Sequence, residues 1–466
     1  MSRGRRDTNC LGMTLNLAAP DRRRFLGATA TAFAALAASG CMARGDSAAA
    51  PRAEAGDFAG YGPLKPDPAG LLDLPEGFAY RVISRLGDRM DDGGTVPDRA
   101  DGMGCFDLGP DENGNPEIAL VRNHELQPRH DAGGPIARGY GKRDGVFVPG
   151  GTTTIVLDAR TLAVKRQFRS LGGTIRNCSG GVTPWGSWLT CEEAPTGPGQ
   201  LYGEGLEQNH GWVFEVPASA RGLVDPVPLK ALGRFNHEAA CVDPATGIVY
   251  ETEDRDDSVL YRFIPKVPGR LAEGGKLQAM VIEGLADTRN WDAAAMPVGK
   301  PHRVSWVDLD NVESPADDLR KQAAAKGAAL VARGEGIHMG ENAVFVCSTS
   351  GGAKQLGQIL KLTPGLAGQA DTLELFFESQ SAEQFNFGDN LTVAPSGHLI
   401  VCEDQYTAIV DNHIRGITPD GRAYNLARLR QQTELAGACF SPDGKVLFVN
   451  AYNPTATLAI TGPWAA

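Results

Sequence analysis

The chain has 466 residues and a formal net charge of −11, with 22% charged side chains. An acidic balance of this size argues against a nucleic-acid partner, and it suits a carboxylate-rich site for hard cations as well as a solvated acidic surface. With 58 Gly, 30 Pro and 42% hydrophobic residues, the composition predicts many short strands and turns, in one long repeat-built β domain or in about three ordinary ones.

In chain order, Asp21-Arg22-Arg23-Arg24-Phe25-Leu26 resembles the twin-arginine export motif, and Gly27 to Ala38 is an apolar run of small residues. The run is too short to span a bilayer as a resident helix. It ends in Ser39-Gly40-Cys41, which resembles a lipoprotein cleavage box, with Ala38 where Leu is usual. Cys41 is thus a candidate for lipidation and membrane anchoring. Residues 1–41 are expected to be a signal peptide, 42–68 a flexible Ala/Gly/Pro tether, and 69–466 the folded domain.

A repeat follows. Each copy has a small or apolar start, a Pro/Asp/Gly turn, an apolar strand and an acidic or amide end. The copies are Cys105 to Glu125, Arg176 to Glu193, Cys241 to Asp254, Gly334 to Cys347, Leu391 to Asp404, and Cys439 to Asn450. Further strands follow them, such as Gly211 to Val216, Val259 to Ile264 and Gln358 to Leu362. Units of roughly fifty to seventy residues made of short strands predict an all-β fold, a six-bladed β-propeller, with acidic strand ends around one mouth of a central channel. A β-sandwich would not explain the periodic acidic ends. Pro315 to Ala332, rich in Ala, Lys and Arg, is expected to be a short helical insertion between blades.

Of nine cysteines, Cys10 and Cys41 belong to the leader. Cys191, Cys241, Cys347, Cys402 and Cys439 sit in apolar strands and read as buried thiols. Cys178 sits in a Gly/Ser stretch read as a turn. It is either a buried small side chain or a ligand. The cysteine spacing specifies no disulfide.

The twin-arginine leader, Asn123-His124-Glu125, Asn177-Cys178-Ser179-Gly180-Gly181 with Glu192-Glu193, and Gly233-Arg234-Phe235-Asn236-His237-Glu238 together resemble the PhoX-type alkaline phosphatases. So do Glu253-Asp254, Arg333-Gly334-Glu335-Gly336, Asp389-Asn390-Leu391 and Glu434 to Gly444. The matches run in order from Gly102 to Asn450. The resemblance implies a six-bladed propeller holding iron (Fe3+) and calcium, which hydrolyses phosphate monoesters outside the cytoplasm after twin-arginine export. It implies that Cys178 ligates iron and that Glu125, Glu253 and Glu335 are carboxylate metal ligands. Glu238, Asp389 and Glu403 are further ligand candidates, and Arg333 is the clamp on the substrate phosphate.

The chemistry is consistent. Calcium and ferric iron favour carboxylate oxygens, a thiolate donates charge to iron, and an arginine holds phosphate oxygens through two parallel hydrogen bonds. Each residue has a plainer reading. Glu125 and Glu238 follow histidines and read equally as surface polar pairs, Glu253-Asp254 as a solvated charge run, and Asp389-Asn390 as a turn. Glu335 has Gly on both sides, which suits close approach to a ligand. His124 and His237 either orient carboxylates or bind metal. The chain is shorter than many members of that family, so it resembles a compact subgroup, and a monomer is expected. The other functions weighed are a calcium-dependent lactonase or esterase propeller and a non-catalytic binding propeller, neither of which needs Cys178 with Arg333.

Overall fold

Short apolar stretches separated by Gly, Pro and Asp turns have one way to satisfy their backbone groups, which is to pair with their sequence neighbours. A computed structural model of the chain shows this pairing. It describes residues 60–200, 202–365, 368–405 and 407–464. The expected signal peptide and residues 42–59 of the expected tether lie outside the described residues.

The strands form antiparallel meanders in sequence order. The first joins Ala100–Pro110, Pro116–His124, Gly150–Asp158 and Val164–Thr174, and the second joins Asn177–Val182, Ser187–Glu192 and Val213–Pro217. His237–Val242, Val249–Glu253, Tyr261–Pro265 and Gly275–Ile282 form the third, which His302–Asp308 joins edge to edge to the fourth, made of Gly334–Met339, Val344–Ser348, Gln358–Thr363 and Asp371–Glu378. Gly388–Val393 opens another meander through Leu399–Glu403, His413–Ile417 and Ala423–Leu429, to which Leu72–Pro75 and Leu64–Lys65 add. The last is Leu435–Phe440, Val446–Ala451 and Ala456–Thr461, completed by the N-terminal strand Ala79–Arg85.

The opening strands of these meanders lie side by side, and the last, Leu435–Phe440, returns to pack against the first, Ala100–Pro110. The architecture is all-β and propeller-like. Apolar cores fill the spaces between neighbouring sheets. Phe106 and Ala119 of one meet Trp188 and Phe214 of the next. Leu189 and Val213 meet Ala240 and Tyr261, and Leu435 and Leu458 meet Ile400 and Leu426. Burying each such side chain contributes about 1.5–3 kcal/mol.

Three expectations change. The helix expected over Pro315–Ala332 is confined to Leu319–Ala325. Gly327, at φ 90°, follows its end, and Leu330–Val331 pairs instead with Ser258–Val259. Residues 60–68, the last stretch of the expected tether, are tied to the folded domain at Tyr61 and Leu64. Tyr61 stacks edge-on against Phe78, with centroids 4.9 Å apart, and Leu64 pairs with Pro75. Cys178 lies within a strand, not in a turn. Cys191, Cys241, Cys347, Cys402 and Cys439 are buried and free, as expected. Among the described residues no helix is long and apolar enough to cross a membrane.

The strand Ala79–Arg85 covers the edge of Ala456–Thr461. A chain starting at residue 86 should therefore lose cooperative thermal unfolding and aggregate through the bared edge, whereas one starting at residue 60 should unfold as the full chain does.

Candidate metal centre

Every opening strand carries the same irregularity. The register slips between Ala100 and Met103, Asn177 and Gly180, His237 and Ala240, Gly334 and Ile337, Gly388 and Leu391, and Ala436 and Cys439. Two residues then face one on the partner strand, and such a bulge re-aims a side chain out of the regular alternation. The second residue of these strands is, in order, Asp101, Cys178, Glu238, Glu335, Asp389 and Ala436. Five of these six side chains are acids or a thiol.

A second row comes from the residues just after the neighbouring strands. Glu125 follows His124, Glu193 follows Glu192, Asp254 follows Glu253 and Asp404 follows Glu403. Among the described residues, members of these rows, with Glu434 from just before the strand Leu435–Phe440, form three groups whose donor atoms lie within 4.8 Å of one another: Glu125 with Cys178 and Glu193, Glu238 with Glu335 and Asp389, and Asp389 with Asp404 and Glu434. Asp389 belongs to two of them. Asp101 adjoins the first, with Cys178 Sγ 3.7 Å from its Oδ2.

Arginines rim the groups. Arg176 precedes the strand carrying Cys178. Its Nε lies 2.9 Å from Glu125 Oε1 and its Nη2 2.5 Å from Glu193 Oε2. Arg333 precedes the strand carrying Glu335. Its Nε lies 2.7 Å from Asp254 Oδ1 and its Nη2 2.6 Å from Glu335 Oε1. Arg99 holds the same place before Asp101 and donates to Tyr452 Oη at 2.9 Å, and Tyr452 donates to Glu125. All three arginines have positive φ, 57° for Arg99, 47° for Arg176 and 48° for Arg333. That conformation costs a non-glycine residue roughly 1–3 kcal/mol and persists where surrounding contacts hold it.

Burial and mutual repulsion dominate the electrostatics. Burial, then the charges of Glu125, Asp389 and Glu193, push the Asp101 carboxyl well above the usual range. Glu238 is driven the same way by burial and then by Glu335, Glu193 and Asp389. So is Glu434, by burial and then Asp404. The Cys178 thiol is raised by burial and by the acids around it, Asp101 first. A cation among these groups would add an attraction of the opposite sign, which favours their ionised forms. Glu238 Oε2 is buried without a hydrogen-bond partner, an acceptor aimed where a cation would satisfy it. A donor set of carboxylates and one thiol fits hard cations together with iron.

Among the residues expected from sequence, Glu125, Cys178, Glu238, Glu335 and Asp389 come together, with Arg333 beside them. Glu253 and Glu403 lie outside all three groups. Glu403 accepts Arg415 Nε at 2.6 Å and the Asn386 N–H at 2.8 Å. Glu253 accepts Tyr261 Oη at 2.7 Å and Arg320 Nη1 at 3.2 Å. Successive side chains on a strand point to opposite sides, so each of these acids fastens its own sheet while the next residue, Asp404 or Asp254, faces the other way. Glu192 does the same, accepting Ile175 N–H at 2.9 Å and Gly211 N–H at 2.8 Å. His124 and His237 contact backbone carbonyls and lie outside the groups, His124 through Asp98 and His237 through Gly233.

Sequence reading missed Asp101, Arg176, Glu193, Asp404 and Glu434. The acidic pairs Glu192-Glu193 and Glu403-Asp404 were visible, but which member faces the channel depends on strand register. Asp101 lay four residues ahead of the Cys105 start assigned to its repeat.

The family model described as alkaline phosphatase PhoX matches residues 59–163 and 152–455. No match is found among curated proteins. The fold is similar to Pseudomonas fluorescens PhoX in complex with vanadate, a transition-state analogue, with a TM-score of 0.65 at 18% identity over 84% of this chain and 96% of that one. It also overlaps a gluconolactonase from Xanthomonas campestris, with a TM-score of 0.41 at 12% identity over 87% of this chain and 98% of that one.

The two carboxylate roles separate experimentally. Glu403→Gln leaves Arg415, whose side chain is 3% exposed, without its counter-charge, and should lower stability in urea by about 3–5 kcal/mol. Asp404→Asn relieves repulsion and should leave stability within about 1 kcal/mol of the parent or raise it, while lowering bound metal.

Proposed function

We propose, from the premise that this chain belongs to the alkaline phosphatase PhoX family, that it is a metal-dependent phosphomonoesterase acting outside the cytoplasm. The phosphatase assignment follows from the family. The observation that carries metal dependence is the convergence of Glu125, Cys178, Glu193, Glu238, Glu335, Asp389, Asp404 and Glu434 in three adjoining groups. We assign iron (Fe3+) to the group with Cys178 and calcium to the all-carboxylate groups. Bound there, these ions would supply Lewis-acid stabilisation of charge on the phosphoryl group.

The chain's own residues do the rest. The carboxylates and thiolate hold the ions, and the bulged strands fix those donors without needing flexible loops. Arg333, held by Asp254 and Glu335 at the edge of the groups, presents its guanidinium to the phosphate oxygens. Phosphate esters are the substrates. The ring of opening strands, each starting a meander, supports a six-bladed reading. We further infer a signal peptide over 1–41, a tether that ends where Tyr61 packs, and a monomeric domain. Export by the twin-arginine machinery and anchoring through Cys41 complete the reading.

Two experiments test it. Cys178→Ser should bleach a thiolate-to-iron charge-transfer band and lower bound iron. Arg333→Ala should keep metals and colour while kcat/KM for a phosphomonoester falls about 10²-fold or more. Full iron and full activity in Cys178→Ser would reduce the thiol to a packing residue. For export, Arg22→Lys with Arg23→Lys should leave precursor in the cytoplasm, and Cys41→Ser should move the mature protein from membrane to soluble fraction. Unchanged distribution in either case rejects that assignment.

A further inference from the structure

The third residue of the opening strands is, in order, Gly102, Ser179, Ala239, Gly336, Asn390 and Gly437. Five small residues surround one large one. The backbones converge at this level. A Cβ on Gly102 would stand 2.5 Å from Ser179 Cα, and one on Gly336 would stand 2.6 Å from Asp389 O and 3.0 Å from Asn390 Cα. Neither place admits a side chain without a shift of the neighbouring backbone, and Asn390 carries the largest side chain at this level.

The Asn390 amide is buried and bonded at both ends. Its Nδ2 donates to Ser179 Oγ at 3.2 Å, and its Oδ1 accepts the Ala438 N–H at 2.9 Å. The first of these bonds links strands from meanders that are not neighbours in the ring. Ser179 is itself fixed, since its carbonyl and that of Cys178 accept Asn123 Nδ2 at 2.8 and 3.0 Å. On one side of this row are the carboxylates and the thiol. On the other is a cavity of about 320 Å³ lined by Met103, Val182, Ile337, Met339, Leu391 and Cys439 among others.

The position matters because of the chain neighbours at each end. Asn390 follows Asp389, the carboxylate shared by two groups, and Ser179 follows Cys178, the thiol of the third. A bond between Asn390 and Ser179 therefore couples the three groups through one covalent step at each end.

We propose that Asn390 is a positioning residue: its bridge to Ser179 sets the spacing between the thiolate group and the two groups that share Asp389, and its amide closes the floor of the metal chamber against the apolar cavity beyond. This rests on the metal-dependent reading above. Outer hydrogen-bond partners of metal ligands typically change metal affinity by about 10- to 100-fold, and the same range is expected here. A residue that merely filled space would tolerate loss of the hydroxyl it bonds to, because its volume would be untouched.

The test uses the full exported chain with Ser179→Ala and Asn390→Ala. Metal retention against a chelator is followed by elemental analysis, and the thiolate-to-iron band by absorption. Both variants should lose metal about 10- to 100-fold more readily than the parent and shift the band, with thermal midpoints near the parent's. Ser179→Ala removes a single hydroxyl, so it decides the question if Asn390→Ala fails to fold. Retention and band equal to the parent in Ser179→Ala overturn the proposal alone. A parent protein without metal overturns the metal-centre reading and this proposal with it.

Discussion

Holding like charges together out of water is unfavourable, and the fold is arranged around that constraint. Asp101, Glu125, Glu193, Glu238, Glu335, Asp389, Asp404 and Glu434 converge with one thiol. Burial with mutual repulsion raises Asp101, Glu238, Glu434 and Cys178 together. No single loop could hold such a set. Here Asp101, Cys178, Glu238, Glu335 and Asp389 sit at an equivalent point of five strands, the other acids sit at strand ends beside them, and the sheets behind, packed through apolar cores, supply the restoring force. The bulge is what makes this possible, since a regular strand would turn the second residue into the sheet interface.

The rim and the walls divide the work of compensation. Arg176 and Arg333 place fixed positive charge against Glu125, Glu193 and Asp254 of the second row and against Glu335 of the first. Behind them, Glu192, Glu253 and Glu403 are carboxylates of another kind, each satisfied by donors of its own sheet and its connecting loops. Charged residues one position apart thus do opposite things: one fastens the scaffold and the next faces the channel. In a buried pair such as Glu403 with Arg415, desolvation offsets much of the attraction, while loss of one partner leaves an uncompensated charge.

Much of this was legible in the sequence. The recurrence of a turn, an apolar strand and an acidic end revealed an all-β repeat, because strand length and turn chemistry are local properties. Cys178 and Glu335 stood out through their Gly-rich settings, whereas Asp389 entered only through the family resemblance and read otherwise as part of a turn. The helix over Pro315–Ala332 was over-read because its composition favours helix, while pairing of Leu330–Val331 with Ser258–Val259 took the end of the segment into a ribbon. The tether was over-extended for a similar reason: Tyr61 packs against Tyr424, far along the chain, and Leu64 pairs with Pro75.

What the sequence determined by itself is the alphabet of the site: a family of short strands, acids at their ends, one thiol in a Gly/Ser setting and an arginine two residues before a glutamate. What only the tertiary structure decided is which member of each acidic pair faces the channel. Alternation along a strand has a period of two, so a shift of one residue exchanges the scaffold role for the ligand role. The register that settles it depends on bulges and on partners hundreds of residues away, as Asn390 and Ser179 illustrate at a separation of 211 positions.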